Sequence, residues 1–291
     1  MTELVSSLER PEILRETVPP ERFGILAQPL TLWERAWNNG ALRKIVLLLL
    51  LALLWEGYAR LINNPLLVPT FSATVRAFWE NIVDGVLPGR AAYSIRVLVM
   101  GYTAGITLAA LLTALAVTSR VGTDLLETLS SMFNPLPAIA LLPLALLWFG
   151  LGNPSLMFVM VHSVLWAVAL NTHSGFTAVS NTLRMVGQNC GLSGFRYVVK
   201  ILIPAASPSI LTGLKIGWAF AWRTLIAAEL VFGVSSGQGG LGWFIYENKN
   251  QLEVPSVFAG LFTVILIGLV VENLVFRNIE LRTVRRWGMQ G

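Results

Sequence analysis

Asn181-Thr182-Leu183-Arg184-Met185-Val186-Gly187-Gln188-Asn189-Cys190-Gly191-Leu192-Ser193-Gly194-Phe195-Arg196-Tyr197-Val198-Val199-Lys200-Ile201-Leu202-Ile203-Pro204 is too polar to cross a membrane and too regularly patterned to be a slack linker. Gly191 admits backbone conformations closed to other residues, and Pro204 lacks the N–H that a continuing helix uses. The stretch therefore predicts two short helices hinged at Gly191, the second ended by Pro204. In this reading Arg184, Arg196 and Lys200 face water or acidic groups of a partner, whereas Val186, Val198 and Ile201 face the body of the protein. By itself such a stretch reads first as an interfacial amphipathic loop.

Its surroundings set the solvent. The 291 residues are 55% hydrophobic and 13% charged, the latter about half of what a soluble domain carries. Six apolar stretches approach the roughly 20 helical residues that cross a bilayer, near 43–62, 95–118, 125–149, 154–173, 207–233 and 254–276. The third holds Pro135, Pro137 and Pro143, so its backbone must bend or open where neighbours satisfy the freed carbonyls, a requirement that places it inside the bundle. Ten tryptophans fit an aromatic belt at the two membrane surfaces. Between the first two spans, Val75, Phe78, Trp79 and Ile82 share one helical face over 72–86, predicting an amphipathic helix along the interface.

Charge gives direction. The net charge is +5, and its placement is one-sided, which points to membrane lipid and away from nucleic acid. Arg35, Arg43, Lys44, Arg120, Arg184, Arg196, Lys200, Arg277, Arg282, Arg285 and Arg286 fall on one side of six alternating spans, so both termini are expected in the cytoplasm. Arg90 and Arg96 run against that bias. Residues 1–40 lack the basic start and apolar run of a signal peptide and read as a cytoplasmic tail, leaving 41–291 as the transmembrane domain. The single cysteine, Cys190, excludes an internal disulfide and a multi-cysteine metal site.

The 181–204 segment resembles the coupling loop of ABC importer permeases, whose pattern is Glu-Ala-Ala, three residues, Gly, nine residues, Ile, one residue, Leu-Pro. Gly191, Ile201 and Pro204 match, Ile203 stands for the leucine, and Met185-Val186-Gly187 replaces Glu-Ala-Ala. Loss of the acidic residue resembles the nitrate, sulfonate and taurine branch. So do Asn134-Pro135-Leu136-Pro137-Ala138-Ile139-Ala140-Leu141-Leu142-Pro143-Leu144 with Trp148-Phe149-Gly150-Leu151-Gly152, and Leu211 to Gly217 leading to Trp222 and Ala227-Ala228-Glu229-Leu230. The resemblance covers about residues 45–285. It implies an all-α membrane protein of the type I ABC importer permease fold, with six transmembrane helices and a cytoplasmic coupling-helix loop. It implies a bacterial inner-membrane location, a second permease subunit forming a homodimer, two ATPase subunits below and a periplasmic solute-binding protein above. ATP and magnesium would belong to the ATPase, and no cofactor or metal to this chain. Arg184, Met185, Val186, Gly187, Gly191, Leu192, Ser193, Ile201 and Pro204 would then couple to the ATPase.

No Gly-Lys-Ser/Thr phosphate loop occurs, so the chain is not expected to hydrolyse ATP. Gly237, Gly239 and Gly242 spell Gly-x-Gly-x-x-Gly, but after an apolar span and not a strand, which reads as a flexible periplasmic turn. Candidate pathway residues are Arg223 and Glu229, ionisable groups that a span hosts at a cost, with Asn134, Pro137 and Trp222 from the stretches that carry the resemblance. Arg223 suits an anionic solute but equally a structural ion pair. Glu229 fits a helix tie or a cap on broken backbone better than an anion path, and Asn134 fits the path or a local cap. Arg223 and Glu229 are six residues apart, about 240° around a helix, so each needs its own partner. His162 and His173 lie about 16 Å apart along a helix, cannot share a metal, and read as satisfied core or interface histidines. A stand-alone secondary transporter or channel remains the alternative, since helix number and the breaks in span three would suit it too.

Overall fold

The computed structural model describes residues 37–232 and 239–284. The expected tail over 1–40 therefore lies almost wholly outside the described residues, as do Gly237, Arg35, Arg285 and Arg286. The chain divides after Leu54 into two compact units. Of the first, the description covers the beginning of α1 (Gly40–Ile62), whose apolar side chains from Ile45 to Leu51 are all exposed, as expected of a helix solvated by lipid.

The second unit is helical, with no strand among the described residues. Trp55, in α1, donates to the Pro69 carbonyl (2.9 Å) and packs its ring on Phe71 and Phe258. Next comes α2 (Phe71–Val83), capped by Thr70, whose hydroxyl accepts from the Ala73 N–H. This is the expected amphipathic helix; Phe78 packs edge-on to Phe262, while Val75 and Trp79 remain exposed.

The core is a three-helix sandwich of α3 (Val86–Thr118), α6 (Asn153–Thr177) and α9 (Ile203–Phe232). Helix α6 lies in the middle, and small residues bring its neighbours close: Cβ atoms at Gly101 and Gly105 of α3 would run into Met160 and Val164. Such close approach is how helices gain contact where lipid offers no hydrophobic drive. Helix α3 begins nine residues before the expected span, so Arg90 sits in a helical extension and Arg96 in the span itself, neither in a loop.

Span three is broken. Helix α4 (Arg120–Phe133), a 3-10 turn at Ala138–Leu141 and α5 (Leu142–Phe149) meet at 86°. Its two ends are pinned to opposite ends of the sandwich. Val117, just before α4, packs with Phe176, Val179 and Leu202, whereas Asn153, just after α5, accepts from the Tyr93 hydroxyl (2.8 Å). Tyr93 and Val117 are about 36 Å apart along α3, so the bent pair crosses the full depth and counts as the sixth span. The bend is not enclosed by this chain, contrary to expectation: Asn134, Pro135 and Pro137 are exposed, and the turn recovers bonds locally through Leu136 N–H to Phe133 and Ala140 N–H to Pro137.

Beyond α6 come α7 (Asn181–Asn189), α8 (Gly194–Tyr197) and a π-turn at Val198–Leu202 that passes directly into α9. At the far end α10 (Leu241–Asn250) leads to α11 (Val254–Val270), which ends in a second π-turn, Val271–Phe276, before α12 (Arg277–Arg282). Lys215 of α9 meets Glu280 of α12 at 2.7 Å.

Candidate functional site

Two places gather the candidate residues. The first is a cavity of about 280 Å³ where the break in span three faces α6 and α9. The break contributes Asn134 to Ala138, α6 contributes His162, Ser163 and Trp166, and α9 contributes Phe220, Arg223 and Thr224. Helical spacing explains the grouping, since 162 and 166, and 220 and 224, each stand one turn apart on a single face. Of the five sequence candidates, Asn134, Pro137 and Arg223 line this space; Trp222 and Glu229 do not.

Arg223 is exposed within an apolar span and has no ion-pair partner among the described residues. Its Nε donates to the Ala219 carbonyl (3.0 Å), and its guanidinium carbon lies 5.2 Å from the Phe220 ring centroid. The ion-pair reading is thus unsupported, and the remaining guanidinium N–H groups are available to the cavity. Ser163 and Thr224 pair their hydroxyls at 2.9 Å. Neither ring nitrogen of His162 nor the indole N–H of Trp166 has a hydrogen-bond partner, although the Phe133 carbonyl lies near the histidine ring. Sequence reasoning missed Trp166, Ser163, Thr224 and Phe220 as lining residues; the available signal was polar and aromatic residues one turn apart on α6 and α9.

Trp222 is buried and its N–H reaches the Val264 carbonyl at 3.3 Å, tying α9 to α11. Glu229 is 3% exposed, about 9 Å beyond Arg223 along α9. Its carboxylate accepts from the Ser94 hydroxyl (2.8 Å) and from the Gly242 N–H (2.8 Å), and the Leu241 N–H donates to Ser94 Oγ at 2.9 Å. Together these groups satisfy the first N–H groups of α10, so the carboxylate acts as a helix cap. Gly239, Gly240 and Gly242 belong to the same arrangement: a Cβ at 240 would strike Glu229 and Ser94, and one at 242 the Ile226 carbonyl. The described part of the glycine motif is tightly packed where a flexible turn was expected. Arg90, the exception to the charge bias, donates to the Gly239 carbonyl (2.9 Å) and pairs with Glu247 (3.1 Å).

The second place is the α7–α8 segment. Helix α7 starts at Ser180, whose hydroxyl accepts from Leu183 N–H, and ends in a Schellman turn. Gly191 takes φ +72°, Leu192 N–H returns to the Gly187 carbonyl and Gly191 N–H to that of Gln188. Ser193 is extended and starts α8. Gly187 is buried because a Cβ there would press on Ile201 and Tyr197 at 3.0 Å. Arg184 does not face solvent as expected; its guanidinium donates to the Phe176 (2.6 Å) and Val179 (3.1 Å) carbonyls, closing the end of α6. Val186 does not face the body either. Met185 (54% exposed), Val186 (50%) and Phe195 (82%) are exposed apolar side chains of this segment. Pro204 does not end a helix. The π-turn bonds Ile203 N–H to Val198, so the missing N–H of Pro204 falls in a widened turn and the helix runs from Gly194 to Val231 without a break.

Residues 101–283 match the family model described as the binding-protein-dependent transport system inner membrane component. A putative ABC transporter permease of Methanocaldococcus jannaschii is 33% identical over 234 residues, covering 79% of this chain and 86% of that protein. The nitrate import permease NrtB of Synechocystis is 28% identical over 79% of this chain and 83% of its own length. The putative aliphatic sulfonates transport permease SsuC of Bacillus subtilis is 28% identical over 86% and 88%.

Proposed function

We propose that this chain, which belongs to the family of binding-protein-dependent transport system inner membrane components, passes a small anionic or zwitterionic solute of the nitrate, sulfonate or taurine kind along the cavity at Arg223. It is the permease subunit of an ATP-binding-cassette importer, a multi-pass membrane protein that is not itself catalytic. A second copy of this chain, two ATPase subunits holding ATP and magnesium, and a periplasmic solute-binding protein complete the machine in the bacterial inner membrane, with both termini cytoplasmic.

The supporting observation is Arg223 itself. A guanidinium inside a span is costly unless it serves a pathway or a partner, and here it opens, without a carboxylate, onto the break in span three. Coupling follows from continuity. The helix that carries Arg223 starts at Gly194 in the segment expected to meet the ATPase, about 44 Å away along the axis. A push on Met185, Val186 and Phe195 would reach α9 through the Gly187 contact with Ile201 and Tyr197. Arg184, Gly191, Leu192, Ser193 and Pro204 hold the shape of that segment.

The test is solute uptake by the complete transporter in proteoliposomes. Arg223→Ala should lower uptake about tenfold or more with assembly intact, and Arg223→Lys should retain part of it, since a lysine keeps the charge but loses the fork. Wild-type uptake by Arg223→Ala would overturn the pathway.

A further inference from the structure

We propose that the cavity between α2 and the start of α11 binds a compact zwitterion, an ammonium group two carbons from an oxyanion, the chemistry shared by a phosphatidylethanolamine headgroup and free taurine. The site is separate from the Arg223 cavity and does not depend on the pathway reading.

The two helices meet at the end of the bundle away from α7. Helix α2 leads into the start of α3, whereas Val117, near the end of α3, packs with Phe176, Val179 and Leu202. Between α2 and α11 lies a cavity of about 460 Å³, whose polar lining is Ser72, Arg76 and Glu80 from α2 with Glu253 and Ser256 opposite. Positions 72, 76 and 80 stand one turn apart on a single stripe. Arg76, Glu80 and Glu253 are all exposed, so a ligand entering the cavity meets them directly.

None of the three charges is spent inside the protein. Arg76 and Glu80 have the spacing of an intrahelical ion pair, yet neither they nor Glu253 form one among the described residues. Glu253 stands at the N-cap of α11 without capping it: the Ser256 and Val257 N–H groups return to its backbone carbonyl (3.0 and 3.2 Å), and its side chain takes no cap bond. The chain reaches Glu253 through Leu252 at φ +61°, a conformation costly for a leucine and of the kind that clusters at ligand sites.

The charges choose the ligand. A simple anion meets two carboxylates against one guanidinium, and a simple cation meets the guanidinium. A zwitterion answers both, its oxyanion on the Arg76 fork and its ammonium N–H groups on Glu80 and Glu253. The quaternary ammonium of phosphatidylcholine has no N–H to donate, and phosphatidylglycerol carries no cation. Beside the lining stripe runs a second one, Val75, Trp79 and Val83, exposed and apolar, of the kind an interfacial helix lays against acyl chains. A lipid headgroup in the cavity therefore has apolar surface next to it for its chains, whereas a free zwitterion uses the polar lining alone.

The test uses the complete transporter, and its two arms separate the sources. In the first, nanodiscs hold phosphatidylcholine, phosphatidylethanolamine and phosphatidylglycerol in equal parts, and retained lipid is counted by native mass spectrometry. In the second, taurine is titrated by calorimetry into Arg223→Ala transporter in phosphatidylcholine nanodiscs, so that the Arg223 cavity does not contribute. A lipid site predicts phosphatidylethanolamine enriched over both other lipids, with the enrichment cut about tenfold or more in Glu80→Gln/Glu253→Gln and in Arg76→Ala. Asp84→Asn, which removes an exposed carboxylate at the end of the same helix but outside the cavity, should leave it unchanged. A site for the free zwitterion predicts saturable heat that the same cavity variants abolish and Asp84→Asn keeps. A positive result in either arm supports the proposal and names the source. Lipid retention indifferent to headgroup or to the cavity variants, together with no variant-sensitive taurine heat, overturns it and leaves the Arg223 pathway untouched.

Discussion

Glu229 and Arg223 sit six residues apart on α9, and what faces them decides their different fates. Sequence alone established that they could not pair with each other, because helical geometry separates them. It could not say that Ser94 and the glycines before α10 would wrap the glutamate, since those neighbours lie 135 and about 13 residues away along the chain. Glu229→Ala would leave the Gly242 N–H and the Ser94 hydroxyl buried without acceptors, each worth about 1–3 kcal/mol. We predict a clear drop in the thermal midpoint of the detergent-solubilised protein. Glu229→Gln, which keeps one acceptor oxygen, should lose less stability and retain solute uptake. Loss of uptake in Glu229→Gln with normal stability would return Glu229 to the pathway.

Among the elements, the spans were legible and their ends were not. Hydropathy reports the stretch that lipid must cover, whereas Arg90 is hidden in α3 by its pairing with Glu247, and Pro204 is absorbed by a π-turn that no residue pattern announces. Gly191 was legible because its Schellman turn requires a positive φ, which glycine adopts without strain. Gly187 was not, because its reason is contact across the turn with Ile201 and Tyr197. These two glycines should therefore fail differently. Space around Gly191 is open, so Gly191→Ala costs only left-handed strain, about 1 kcal/mol, and should weaken solute-stimulated ATP hydrolysis modestly, with Gly191→Val worse. Gly187→Val drives α7 off the helix it should push, and should largely uncouple hydrolysis from uptake while leaving the assembled complex isolable. ATPase and uptake measured side by side on the three variants check this order.

For the whole molecule, the candidate site was half legible: Arg223, Asn134 and Pro137 stood out as misfits in apolar spans, while Trp166 and Phe220 looked like ordinary membrane aromatics. Only the fold brings them to one cavity, and that cavity is open on the side where Asn134, Pro137, Phe220 and Arg223 are exposed. Lipid is a poor cover for an exposed guanidinium and broken backbone. A second copy of the same chain meets the need, because a two-fold axis beside the cavity would place one broken span against another and enclose both sites. The same operation makes a sharp prediction, since residues close to the axis meet their own counterparts. In a Cys190→Ser background, single cysteines introduced along 132–140 and 216–223 should give disulfide-linked homodimers under mild oxidation wherever two Cα atoms approach within about 7 Å. A cysteine at Ile265, on the exposed face of α11, should stay monomeric on the same gel. Cross-links at Ile265 but none along the cavity face would mean that the chain pairs through another surface, or with a different subunit, and that the cavity is closed by something other than its own copy.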